Sequence, residues 1–121
     1  MIYIGNDIIE VSRIKKIIDL YGEHFMDKIF SDKEIRIINA KNNNPINISG
    51  KFSAKEASKK ALLSSGLLEN IPFKNIQILN KDNGNPYIEL ISFKSNRIRN
   101  FQISISHTKE HAIATAVLEL S

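Results

Sequence analysis

Three groups of residues in this sequence carry side chains able to do chemistry. Gly5-Asn6-Asp7 sets a carboxylate inside the first apolar stretch, with Glu10 and Arg13 just beyond it. A carboxylate in apolar surroundings is costly unless it is paired or bound to a cation. The local alternative is a strand-end Asp that caps the next helix. Lys55-Glu56-Ala57-Ser58-Lys59-Lys60 puts Glu56 and Lys60 four residues apart, on one helical face. Taken alone, that spacing reads as a surface ion pair of small energetic value. Ala54, Ala57 and Ala61 make one side of the same helix small, so a partner can approach closely there. Finally, Ser104-Ile105-Ser106-His107-Thr108 ends a strand in hydroxyls and an imidazole, at a position suited to ligand contact. Taken alone, a single His at a strand end reads as structural or solvated before it reads as functional, and His24 and His111 stand isolated.

The elements that must position these groups are legible from periodicity and punctuation. Ile2 to Ile9 reads as a strand. Ile14, Ile17, Ile18 and Tyr21 recur at helical spacing, and Gly22 stops that helix. Ser31-Asp32-Lys33-Glu34 spells a capping box ahead of Ile35, Ile37 and Ile38. Lys41-Asn42-Asn43-Asn44-Pro45 predicts a loop, because the residue before proline avoids the helical region. A long helix is predicted from about Ile46 to Ser64, ended by Gly66. Phe73, Ile76 and Ile78 predict a strand, Asp82 to Pro86 a turn, and Tyr87 to Leu90 a short returning strand. Phe101 to Ser106 alternates strictly, and Ala112 to Leu120 reads as a last strand with small residues on one face. The fold class expected is α+β: one N-terminal strand, helices including one long central helix, then antiparallel strands.

Composition sets the outer bounds. The chain has 121 residues, 42% of them apolar, which suits one domain over residues 1–121. A net charge of +4 favours an anionic partner: nucleic acid, a phosphorylated metabolite or an acidic protein. There is no cysteine, so thiolate metal sites and cysteine nucleophiles are excluded. That absence fits a reducing interior, and the N-terminus lacks the features of a signal peptide, so a cytoplasmic location is the expectation. No apolar run approaches the roughly 18 residues that span a bilayer. Glycine-rich phosphate loops, G-x-S-x-G elbows and aromatic-basic platforms for single-stranded nucleic acid are also missing.

In order and spacing, the three groups resemble the holo-[acyl-carrier-protein] synthases, the small phosphopantetheinyl transferases. Gly5 to Ile14 looks like the opening G-x-D-x-x-E-x-x-R of that family. Phe30 to Glu34 looks like its F-[TS]-x-x-E, and Gly50 to Ala61 like its G-R-F-A-x-K-E-A-x-x-K-A. Gly84-Asn85-Pro86 matches its G-x-P turn, and Ser104 to Thr108 its closing S-[IH]-[ST]-H-[TS]. The match runs over essentially the whole chain.

That resemblance implies a phosphopantetheinyl transferase fold and transfer of the 4'-phosphopantetheine arm of coenzyme A to a serine of apo acyl carrier protein. The product is adenosine 3',5'-bisphosphate, and the modified carrier serves fatty acid biosynthesis. It implies that Asp7 and Glu56 hold Mg2+, with Asp7, Glu56 and Lys60 as the catalytic set. Coenzyme A would meet Lys41, Lys51, Lys60, Ser106, His107 and Thr108. The carrier would meet Arg13, together with Lys15, Lys16 and Lys28. A homotrimer with active sites shared between subunits is implied as well, with no role for nucleic acid or membrane. This chain departs from the pattern at Lys51, which stands where the family carries Arg, and at Leu62-Leu63-Ser64-Ser65-Gly66, where an F-G-x-G is usual. Lys51 keeps the charge and loses the bidentate fork. The rival readings are a basic nucleic-acid-binding module, which has no use for two acids and a lysine in register, and a different Mg2+-dependent enzyme acting on a nucleotide.

Overall fold

Alternation along the first residues sets strand β1 (Ile2–Glu10) in the computed structural model, which describes residues 1–121. Tyr3, Gly5, Asp7 and Ile9 turn inward, while Ile2, Ile4, Asn6 and Ile8 turn outward. Helices α1 (Val11–Tyr21), α2 (Glu23–Ile29), α3 (Asp32–Ala40) and α4 (Pro45–Ser65) follow. Strands β2 (Ile76–Asn80), β3 (Pro86–Leu90), β4 (Ile98–His107) and β5 (His111–Leu120) complete the chain. β1, β5 and β4 form an antiparallel sheet in that order, and β2 and β3 form a separate hairpin. The α+β expectation is met. No helix is long and apolar enough to cross a membrane.

α4 lies across the inner face of the three-stranded sheet. Its Ala54, Ala57 and Ala61 meet Ala114, Ala116 and Leu118 of β5 in one core cluster, to which Ile76 and Ile78 of the hairpin belong. A second cluster of Ile14, Ile29, Phe30, Ile38 and Ile48 sits among the helices. Burying each large aliphatic of this kind stabilises the fold by about 1.5–3 kcal/mol relative to exposure.

Local signals set most boundaries. The Gly22 amide closes α1 on the Ile18 carbonyl at 2.7 Å, with the glycine at φ 52°. Asn42 and Asn43 take positive φ, and the Asn44 side chain accepts from the Ile46 amide at 2.9 Å, so α4 begins at Pro45 rather than Ile46. Pro45 supplies no amide, which costs nothing at a helix's first position. Two expectations need correction. Phe73 does not belong to a strand: Pro72 sets up a single 3-10 turn, Phe73–Asn75, ahead of β2. And 23–29, given no element from the sequence, is helix α2, held by Phe25 packing on Phe30 and Phe52.

The capping box of α3 is present: Glu34 N–H donates to Ser31 Oγ at 3.3 Å, and Ser31 N–H to Glu34 Oε1 at 2.9 Å. Glu34 does more than cap. It is fully buried, and Lys55 Nζ, also fully buried, lies 2.5 Å from Oε1. Lys55 also donates to the Ile76 carbonyl at 2.6 Å, and Glu34 Oε2 accepts from Ile78 N–H at 3.0 Å. Burial pulls the Lys55 ammonium below its ordinary pKa, against the opposing pull of Glu34. α3, α4 and the hairpin are thereby tied by one network in which no buried side-chain polar atom is left without a partner.

Candidate active site

The site begins at Gly5. A Cβ there would sit 1.8 Å from the Ala57 carbonyl oxygen, so β1 rests directly on the backbone of α4. No other residue permits that approach. Two residues on, Ser53 Oγ donates to the Asp7 carbonyl at 3.0 Å and pins the strand to the helix. Asp7, an inward position of β1, therefore projects its carboxylate along α4, where its side chain is only 15% exposed.

Lys60 Nζ donates to the Asn6 carbonyl at 3.0 Å and lies 3.4 Å from Asp7 Oδ1. The ion pairs of the chain are Lys55–Glu34 and Lys60–Asp7, so the Glu56–Lys60 surface pair suggested by i,i+4 spacing does not form. Lys60 keeps 53% of its side chain exposed, and a pair of that kind holds weakly. Its ammonium is available to a ligand.

Glu56 is half-buried beside them. Burial raises its pKa above 4.5 first, and the Asp7 charge raises it further, while Lys60 and Lys59 work in the other direction. Lys59 is steadied by its ammonium lying 4.3 Å from the Phe73 ring centroid. Two carboxylates that repel each other beside an exposed lysine form a site whose charge a cation would relieve. Asp7 and Glu56 stand as two: no cluster of three or more His, Cys, Asp or Glu exists in the chain.

A pocket opens along α4. Lys41, Gly50, Lys51, Asn80, Pro86 and His107 are among its walls. Lys41, Lys51 and His107, expected from the sequence to share a ligand, are thus brought together. Lys51 is buried, and its Nζ donates to the Ile78 carbonyl at 2.8 Å and the Asn80 side-chain oxygen at 3.4 Å. Burial lowers its pKa from 10.5 to about 8, with Glu34 opposing and Lys41 and Lys55 adding to the shift. The strand end is split. His107 lines the pocket, whereas Ser106, paired across from Ile113, lies exposed on the outer face of the sheet. Thr108 Oγ1 accepts from the Glu110 and His111 amides at 3.2 and 3.1 Å and so shapes the β4–β5 turn.

The basic residues of the first helices are exposed: Arg13, Lys15 and Lys16 on α1, and Lys28 in the last turn of α2. Arg13 and Lys16 share a shallow cleft with Glu10, Ser12 and His111. Lys15 and Lys28 lie outside it. Sequence reading missed His111, which faces Glu10 across the β1–β5 register, and Asn80, which ends β2. It also missed the buried pair Lys55–Glu34. Lys51, Lys55, Ser58 and Leu62 share one buried side of α4, which no apolar pattern in the sequence marks.

The sequence profile of the 4'-phosphopantetheinyl transferase superfamily matches residues 3–116. A holo-[acyl-carrier-protein] synthase of Maridesulfovibrio salexigens is 40% identical over 124 aligned positions, covering 98% of each chain. The crystal structure of the Helicobacter pylori holo-[acyl-carrier-protein] synthase in complex with coenzyme A superposes with a TM-score of 0.84. It is 31% identical and covers 96% of this chain and 99% of its own. A holo-(acyl-carrier-protein) synthase from Bacillus anthracis, solved with CoA (3',5'-ADP), gives a TM-score of 0.77 at 36% identity. It covers 98% of this chain and 96% of its own. By sequence and by fold, over nearly its whole length, this chain belongs to the 4'-phosphopantetheinyl transferase superfamily.

Proposed function

We propose that this chain transfers the 4'-phosphopantetheine arm of coenzyme A to a serine hydroxyl of an apo acyl carrier protein and releases adenosine 3',5'-bisphosphate. The observation that carries the reading is the juxtaposition of Asp7, Glu56 and Lys60, created by the contact of Gly5 with α4. Two carboxylates close enough for the charge of one to raise the pKa of the other fit Mg2+, a hard ion that retains waters and takes phosphate oxygens as further ligands. Bound by Asp7 and Glu56, it would supply charge neutralisation at the diphosphate.

The chain's own residues do the rest. Lys60 offsets charge that builds on the departing phosphate. The serine oxygen forms a bond to the phosphorus next to the pantetheine. The diphosphate P–O bond breaks, and its electron pair leaves on adenosine 3',5'-bisphosphate. The serine proton departs to Glu56 or to solvent beside it. The nucleophile belongs to the carrier, which accounts for the lack of a nucleophilic elbow here. Lys41 and His107, exposed on the pocket whose wall Lys51 helps to form, suit the nucleotide end, with Ser106 and Thr108 at the same strand end. Arg13, Lys15, Lys16 and Lys28 suit an acidic carrier through steering and rim contacts. A cysteine-free chain acting on these substrates fits the cytoplasm.

A homotrimer with shared sites is part of this reading. Ile2, Ile4, Ile8, Ile113 and Val117 all stand exposed on the outer face of the sheet, Ile4 and Ile8 each at 63%. An apolar patch of that kind marks an interface. Ser106 lies on the same face, toward the surface a neighbouring subunit would cover. Light scattering that reports a monomer would refute this part.

For the reaction, the protein is mixed with Mg2+, coenzyme A and apo acyl carrier protein, and the carrier is weighed by mass spectrometry. A gain of one phosphopantetheine arm is expected. No gain with a folded enzyme and a competent carrier sinks the reading.

A further inference from the structure

The β2–β3 hairpin shares no main-chain ladder with the other sheet. Apolar packing of Ile76 and Ile78 holds it against α4, but such packing is not directional. Its register along α4 is set instead by side chains from the helices. Lys55 takes the Ile76 carbonyl, Glu34 takes the Ile78 amide, and Lys51 takes the Ile78 carbonyl at 2.8 Å. Lys51 also reaches the Asn80 side chain at 3.4 Å, and Asn80 Nδ2 in turn donates to the Gly84 carbonyl at 3.0 Å. The chain of contacts thus runs from α4 into the turn that presents Pro86. Asn80 and Pro86 are walls of the pocket that also holds Lys41 and His107.

We propose that Lys51 is a positioning residue: it holds the hairpin wall of the nucleotide pocket in place through Ile78 and Asn80, and does not itself bind a phosphate of coenzyme A. The inference rests on the reading that this pocket takes the nucleotide end. Three observations support it. The ammonium is buried, and two of its three N–H donors point to a carbonyl and an amide oxygen of the hairpin. A lysine presents a compact ammonium and not the wide planar fork of an arginine, so it reaches less far past its buried partners toward a phosphate. Lys41 and His107 remain exposed on the same pocket, with no hydrogen bond to either side chain, so cationic and donor groups for a phosphate exist without Lys51.

The test compares Lys51→Met with the parent protein on coenzyme A and on dephospho-coenzyme A, which lacks the 3'-phosphate. A positioning role predicts that KM rises about tenfold for both substrates alike while kcat is retained. Amide hydrogen exchange across 76–80 should quicken in the ligand-free protein. Asn80→Ala should shift KM in the same direction, and the two substitutions together should do little more than one. The proposal is overturned if Lys51→Met weakens coenzyme A alone and leaves exchange in the hairpin unchanged, the pattern of a direct phosphate contact. If Lys51→Met does not fold, Asn80→Ala decides on the same readouts: unchanged KM and unchanged exchange reject the positioning role. Failure of the parent protein to use or bind coenzyme A is a different outcome and would strike the function proposed above.

Discussion

Replacing Gly5 by alanine should damage stability and turnover together. The added Cβ would lie 1.8 Å from the Ala57 carbonyl oxygen and 2.8 Å from the Ala61 nitrogen. Ordinary contact begins near 3.4 Å, so β1 must retreat from α4 by about 1.6 Å. The obstacle is helix backbone, not the tip of a flexible side chain. The cost therefore falls at the upper end of overpacking, about 3 kcal/mol, which lowers the melting temperature by on the order of 10 °C in a domain of this size. The same retreat carries Asp7 away from Lys60 and Glu56. A misplacement of about 1 Å costs on the order of 100-fold in rate. Thermal unfolding followed by circular dichroism reads the first effect, and the initial rate of carrier modification by mass spectrometry reads the second. Gly66→Ala serves as the control. Gly66 has φ 78° and nothing within 4 Å, so alanine there should cost roughly 1 kcal/mol of strain and leave the rate alone. A Gly5→Ala protein that melts and turns over like the parent would refute the close-approach argument.

Three further perturbations probe other parts of the account. Glu34→Ala leaves Lys55 buried without its partner and should cost about 3–5 kcal/mol in urea unfolding, whereas replacing both residues by apolar ones should cost less; a loss under about 1 kcal/mol for the single variant contradicts the network. The metal-free Glu56 carboxyl should titrate above 4.5 by NMR, and Asp7→Asn should lower it, since Asp7 is one cause of the rise. A raised carboxyl pKa means that stability from this group is lost as pH climbs from 4.5 through the raised value, so added Mg2+ should restore thermal stability near neutral pH; no response to Mg2+ would argue against binding there. Lys60→Ala should slow turnover by at least about 100-fold with little change in melting temperature, because its pair with Asp7 is exposed; near-parental rates would remove Lys60 from the mechanism.

Much of this fold is written in local signals. The capping box at Ser31 and Glu34, the Gly22 and Gly66 stops, the Asp82–Pro86 turn and the alternation of Phe101 to Ser106 each appear where the residues place them. What stayed hidden depends on long-range packing. α4 buries Ser49, Lys51, Ser53, Lys55 and Ser58 alongside its alanines, so it shows no apolar stripe at helical period. Lysine is read as a surface residue from sequence, and only the distant Glu34 and the carbonyls of β2 make its burial affordable. α2 has no N-cap side chain and depends on Phe25 meeting Phe30 and Phe52. The same limit applies at the site. Spacing along α4 suggested Glu56–Lys60, but tertiary contact with β1 gives Lys60 to Asp7. Asp7, Glu56 and Lys60 were legible as residues, and their geometry was not.

The central claim is that Asp7 and Glu56 act as one site for the ion and the diphosphate. Single-turnover rates of Asp7→Asn, Glu56→Gln and the double variant test it directly, with circular dichroism confirming that each is folded. One shared site predicts that either single change slows transfer by at least about 100-fold and that the double variant is little slower than the worse single. A folded single variant with near-parental rate, or losses that simply multiply in the double, would contradict it.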